Sequence, residues 1–217
     1  MSRGDVRGRE RWLAIGLALS GLLLIGQGGW IQAKAWLAQR LLEQAWAATL
    51  VDGDAHRPWS WADHFPVARL QVPHLGIDQI VLEGDSGAVL AFAPGHHPES
   101  GLPSGTRTAL ISGHRDTHFR FLRDLSPGDA LLLRDTRGQH LYRMLSAEVV
   151  DSRTRRVAIS ETAGDLLLVT CWPFSATASG GSLRYVVRFE RQPSVPTGQL
   201  AGRIDSAVSG EPVDGAT

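Results

Sequence analysis

The sequence predicts a mostly β domain, a closed barrel or a sandwich, behind one N-terminal apolar helix. Three observations carry that expectation. From Phe65 onward, short apolar or alternating segments recur at close spacing between turns, the pattern of strands in a closed all-β fold. The segment Trp12–Ala33 carries no formal charge over 22 residues. A stretch from Gln192 to the last residue is dominated by Pro, Gly, Ser and Ala.

The N-terminal segment comes first. As a helix, its 22 residues span roughly 33 Å, about one bilayer core. Trp12 and Trp30 lie near its ends, where indole rings favour the membrane–water interface. Arg3, Arg7, Arg9 and Arg11 precede it, against Asp5 and Glu10, which predicts a cytoplasmic N-terminus with all that follows outside. A cleaved signal peptide is the competing expectation, with Ala33-Lys34-Ala35 as a small-x-small site. Both export the body. Residues 34–51 keep a helical apolar pattern at Ala35, Leu37, Leu41, Ala45 and Ala48 and read as a juxtamembrane stalk. Residues 52–64 are a turn-rich linker.

In the body, strands are expected at Val67–Val72, Ile77–Leu82, Arg107–Ser112, Ala130–Arg134, His140–Val150, Leu166–Thr170 and Arg184–Glu190. Asp135-Thr136-Arg137-Gly138 is a hairpin signal, and His118–Asp124 is expected to form a short helix. The tail 192–217 has too few large apolar residues to offset its ordering entropy and is expected to be disordered.

Composition narrows function. Lys plus Arg equals Asp plus Glu, 22 against 22, so net charge gives nucleic-acid binding no support. The chain has one cysteine, Cys171, and no asparagine. A lone cysteine in an exported domain cannot form an internal disulfide; it is either a small buried hydrophobe or a working thiol. It follows the apolar run DLLLVT, and Pro173 ends sheet pairing two residues later. His114 also follows an apolar strand, TALISG, with Gly113 allowing close approach. Imidazole is the natural acid/base at neutral pH, and a fixed guanidinium can steady an oxyanion. Arg184, Val186 and Arg188 alternate onto one strand face, so alternation alone leaves Arg184 and Arg188 equivalent.

Together these segments resemble the sortases. The matching pieces run in family order: VARLQVPHLGIDQIVLEG, LAFAPGHHPESGLPSGTRTALISGHRDTHF, DLSPGDALLL, LLLVTCWPF and SLRYVVRFER, covering about residues 65–191. The family's TLxTC reads LLVTC here, with Leu167 in place of the first Thr. The resemblance implies a closed β-barrel of about eight strands with short helices. It maps the catalytic set to Cys171, His114 and Arg184, selects Arg184 over Arg188, and gives Thr170 a part in positioning substrate or oxyanion. The Arg-rich chain with Trp172 after the cysteine is most similar to the Gram-negative sortases. The implied chemistry is cleavage of a C-terminal LPxTG-like sorting signal between Thr and Gly through a Cys thioacyl intermediate. Transfer to an amine of the cell envelope follows, with no metal or cofactor.

Three rivals define what the structure has to separate. A hydrolytic cysteine peptidase or amidase cannot be papain-like without Asn, but Asp116 or Asp165 could orient the histidine. A non-enzymatic membrane-tethered barrel would keep the thiol structural. A zinc site would draw on Cys171 with His96, His97, His114 or His118, and a calcium site on Asp78, Glu83, Asp85 and Glu99, although those acids form no loop motif.

Overall fold

The structure is a computed structural model that describes residues 3–155, 157–161, 164–176 and 181–193. A 50-residue helix, α1 (Arg3–Asp52), opens the chain. It divides between two compact units, residues 1–41 and 42–217. Within the first unit the helix is apolar and outward-facing: Leu17, Leu22, Leu23 and Ile25 are all largely exposed. It is long and apolar enough to cross a membrane. Near the end of that stretch Lys34 lies over the Trp30 ring and Arg40 over the Trp36 ring, at 5.7 and 5.3 Å.

The second unit begins with the last turns of α1. Leu42, Ala45, Trp46 and Thr49 are buried, at the i, i+3, i+4, i+7 spacing of one helix face. Leu42 and Trp46 pack on Ile80, Leu82, Val89 and Ala93. The segment read as a stalk therefore ends as part of the barrel unit. Burying Trp46 and Leu42 there contributes roughly 2–3 kcal/mol each.

Eight strands follow: β1 (Pro66–Val72), β2 (Ile77–Glu83), β3 (Gly95–His96), β4 (Ala109–Ser112), β5 (Ala130–Asp135), β6 (Gly138–Asp151), β7 (Leu166–Cys171) and β8 (Leu183–Arg191). They close into a barrel in the order β1-β2-β3-β4-β7-β8-β6-β5. Closure leaves no open edge. A short helix, α2 (Gly87–Leu90), sits between β2 and β3, capped by the Ser86 side chain, which accepts from Val89 N–H. The helix expected at 118–124 is a 3-10 turn over Arg120–Asp124. The hairpin expected at Asp135–Gly138 joins β5 to β6, and the Asp135 carboxylate accepts from the Arg137 and Gly138 N–H groups.

Strand alternation sorts the barrel into inside and outside. Ala68, Leu70, Val72, Leu131, Leu133, Leu166, Leu168, Val187 and Phe189 point inward and form the main core. On the outer face Leu167, Val150 and Val186 form a smaller cluster with Leu110, Val157 and Val169. Cys171 continues the outward series of Leu167 and Val169, which takes it out of the sealed core. The tail expected to be disordered lies outside the described residues from 194 onward.

Candidate active site

Three neighbouring strands, β4, β7 and β8, set the site. The β7/β8 pair is antiparallel, with Cys171 directly opposite Arg184. Trp172 N–H donates to the Leu183 carbonyl at 3.0 Å, which makes Trp172/Leu183 a hydrogen-bonded pair. Cys171/Arg184 is then the alternate kind of pair, whose side chains approach most closely. On the other side, β4 and β7 are parallel, with Ser112 beside Val169. Gly113 N–H donates to the Val169 carbonyl, so the pairing runs one residue past β4. His114 follows Gly113, at the point where the chain leaves the strand. Backbone register thus places Arg184 opposite Cys171, and His114 comes one residue after the last β4–β7 bond.

Local packing explains why these residues sit where they do. A Cβ on Gly113 would come within 2.7 Å of the Phe119 ring, so only glycine lets the chain turn off β4 over that buried phenylalanine. Phe119 N–H closes the turn on the His114 carbonyl. Thr170 is buried and its hydroxyl donates to the Gly113 carbonyl at 2.7 Å. That bond ties the end of β7 to the residue before His114. The Thr170 side chain faces the barrel interior, whereas Cys171 faces out.

Arg184 and Arg188 part company here. Arg188 lies opposite Leu167 and donates from Nε to the buried Asp165 carboxylate at 2.8 Å. Arg184 donates from Nη1 to the carbonyls of Gly181 and Leu183, which fixes its guanidinium at the strand entry. The two aspartates available to a Cys-His-Asp arrangement are both engaged by arginines: Asp165 by Arg188, and Asp116 by Arg115. The hydrogen bonds from Arg115 lower the Asp116 pKa from its ordinary value.

His96 and His97 have hydrogen-bond partners of their own, and His118 lies within electrostatic reach of His114. His96 bonds Glu83, the Gly101 carbonyl and Ser100, and His97 bonds Asp85. His118 is half-buried and lines a cavity of about 330 Å³ with Leu75, Ile77, Gln79 and Phe121. Burial first, and the charge on His114 next, push the His118 pKa down. Asp78 is engaged by Arg69. Among the described residues no three His, Cys, Asp or Glu side chains gather closely enough to hold a metal ion.

The family model described as Sortase domain matches residues 70–192, more than half of the chain. The chain belongs to the sortase family. Sortase D of Bacillus subtilis (strain 168) is 30% identical over 123 residues, which is 56% of this chain and 62% of that protein. The chain thus matches less than two thirds of that relative's length. Two solved structures share the fold. A sortase D5 transpeptidase of Clostridium perfringens matches with a TM-score of 0.58, 19% identity, and coverage of 72% of this chain and 99% of that one. Sortase A of Corynebacterium diphtheriae matches with a TM-score of 0.55, 21% identity, and coverage of 74% and 86%. The closed eight-stranded barrel is the sortase-type fold expected from the sequence.

One residue of this neighbourhood was not singled out from the sequence. Arg115 is only 5% exposed and donates to the carbonyls of Pro173 and Ala176, some sixty positions along the chain. Its place after His114 was visible in the sequence; its long-range bonds were not.

Proposed function

We propose that this protein is a membrane-anchored cysteine transpeptidase. Cys171 is the nucleophile, His114 the acid/base and Arg184 the oxyanion partner. The observation that supports this reading is the pairing of Cys171 with Arg184 across β7 and β8, with His114 one residue beyond the last β4–β7 bond. The thiolate attacks the carbonyl carbon between Thr and Gly of an LPxTG-like sorting signal. The developing oxyanion is met by the guanidinium edge that Arg184 does not spend on Gly181 and Leu183. Collapse of the tetrahedral intermediate breaks the C–N bond, and His114 gives its proton to the departing glycine amine. A thioester on Cys171 remains. An incoming amine of the cell envelope then attacks it, His114 takes that proton, and the thiolate leaves.

Thr170 contributes through the backbone. By holding the Gly113 carbonyl it keeps the histidine-bearing turn against the end of β7. The α1 segment 12–33 would cross the cytoplasmic membrane among its lipids, with residues 65–191 as the catalytic domain outside, periplasmic in a Gram-negative cell. Placement among the Gram-negative sortases rests on the arginine-rich composition and on Trp172 following Cys171. The substrate protein carries the sorting signal at its C-terminus, and no nucleic acid takes part.

The test is ligation by the full-length chain in detergent micelles, with an LPxTG peptide and a set of amines. Ligated product that disappears in Cys171→Ala supports the reading. Peptide cleaved to free acid at equal rate with and without amine supports a hydrolytic peptidase. An unchanged peptide together with an alkylation-resistant thiol supports a non-enzymatic barrel.

A further inference from the structure

The turn that follows Cys171 is held from two sides. On one side, Trp172 stacks on Tyr185 at 5.4 Å between ring centres, and Phe174 meets both rings edge-on at 5.6 and 5.3 Å. On the other side lies Arg115. Its Nη1 donates to the Pro173 carbonyl at 2.8 Å and its Nη2 to the Ala176 carbonyl at 2.7 Å. The same guanidinium grips Asp116 with Nε and Nη2, both at 2.8 Å. Four of five N–H donors are therefore in use, in a side chain only 5% exposed.

An arginine this buried needs a reason beyond solubility, because taking a guanidinium from water is costly unless its donors are met. Asp116 alone would partner it at the surface. The two backbone carbonyls lie instead on the segment that leaves the nucleophile, while Arg115 itself directly follows His114. Only a planar fork with several donors can reach two carbonyls and a carboxylate at once. Asp116, hydrogen-bonded to it, holds the Arg115 proton more tightly than usual, against the opposing cost of burial.

We propose that Arg115 is a positioning residue: its guanidinium straps the turn after Cys171 to the loop that carries His114, and so fixes how thiol and imidazole face each other. The proposal rests on the transpeptidase reading for its kinetic consequence. The β4–β7 pairing holds the end of β7 that carries Cys171 and runs out at Gly113, just before His114. The strap sets the path of the chain immediately beyond each of them, which register does not reach.

The experiment compares full-length wild type with Arg115→Ala, Arg115→Lys and Asp116→Ala in detergent micelles, measuring ligation kinetics and circular dichroism. A misplacement of about 1 Å between reacting groups costs on the order of a hundredfold in rate. Arg115→Ala should accordingly lose about that much in kcat, with KM for the peptide within about threefold. Arg115→Lys should recover less than about a tenth of the lost kcat, because one ammonium cannot span the three acceptors. Millimolar guanidinium ion should raise kcat of Arg115→Ala and leave wild type unchanged. Asp116→Ala removes only the exposed anchor and should lose less, in the same direction.

A folded Arg115→Ala or Arg115→Lys with kcat within about twofold of wild type overturns the strap, as does a loss confined to KM. Should both Arg115 variants fail to fold, wild-type kinetics in Asp116→Ala overturn it. A wild type that forms no thioester sinks the transpeptidase reading instead. The strap is then read by alkylation of Cys171 with chloroacetamide. Loss of the neighbouring cation should slow it at least about threefold in Arg115→Ala, reversibly with guanidinium ion, and equal rates overturn the strap.

Discussion

Cys171 and Arg184 stand directly opposite each other across β7 and β8, in the kind of antiparallel pair that brings side chains closest. Replacing the guanidinium should therefore act on the chemical step. Arg184→Ala is expected to lower kcat by about 10²–10³, with little change in KM for the sorting peptide. Steady-state ligation kinetics check this.

Arg188 shares the strand face of Arg184 but serves Asp165, whose side chain is 7% exposed. Arg188→Ala leaves a buried carboxylate without its cation, a stability defect rather than a catalytic one. The expected outcome is a lowered Tm with kcat within about threefold of wild type, the inverse of Arg184→Ala. Thermal melts and kinetics of the two variants, side by side, separate the roles.

Thr170→Val keeps shape and removes the hydroxyl that donates to the Gly113 carbonyl. The freed carbonyl is expected to cost about 1–3 kcal/mol of unfolding free energy, measured by denaturant titration. A drop in kcat should accompany it, because the same bond holds the turn that carries His114.

Trp46 is 2% exposed against Ile80, Leu82 and Val89. Trp46→Ala is expected to destabilise the barrel unit by about 3–5 kcal/mol. A stalk that merely spaces the barrel from a membrane predicts almost no change in the same denaturant titration.

His96 supplies a pH signature. Burial opposes its charging, but Glu83, the Gly101 carbonyl and Asp85 outweigh that and raise its pKa. A histidine raised on folding stabilises fully below its unfolded value of about 6.5 and loses that contribution as pH climbs through the higher folded value. The lowered values of His64 and His118 act in the opposite sense, so the comparison needs a variant. The Tm gap between wild type and Glu83→Gln should be largest at acidic pH and narrow from about pH 6.5 upward.

The sequence made the longer strands legible because side-chain period survives in it. RYVVRFE in β8 and the apolar run of β7 are visible without coordinates. β3 is not: two residues, Gly95 and His96, carry no period, and they are a strand only because β2 and β4 flank them. The expected helix at 118–124 tightened into a 3-10 turn, too short for its apolar spacing to distinguish the two. Alternation put Arg184 and Arg188 on one face, and it took the register against Cys171 and Leu167 to tell them apart. The Arg115 strap joins residues 58 and 61 positions apart, and no local pattern encodes such a bond.

Acylation of Cys171 by a sorting signal is the step on which the transpeptidase chemistry turns. Intact-mass spectrometry of the full-length protein, quenched in acid after incubation with an LPxTG peptide and no amine, tests it most directly. The expected result is an added mass equal to the peptide up to its threonine, mapped to Cys171, removed by hydroxylamine and increased when Arg184 is intact. Peptide cleaved between Thr and Gly with no adduct on Cys171 at any quench time, in a protein whose Cys171→Ala form cleaves equally well, would contradict it.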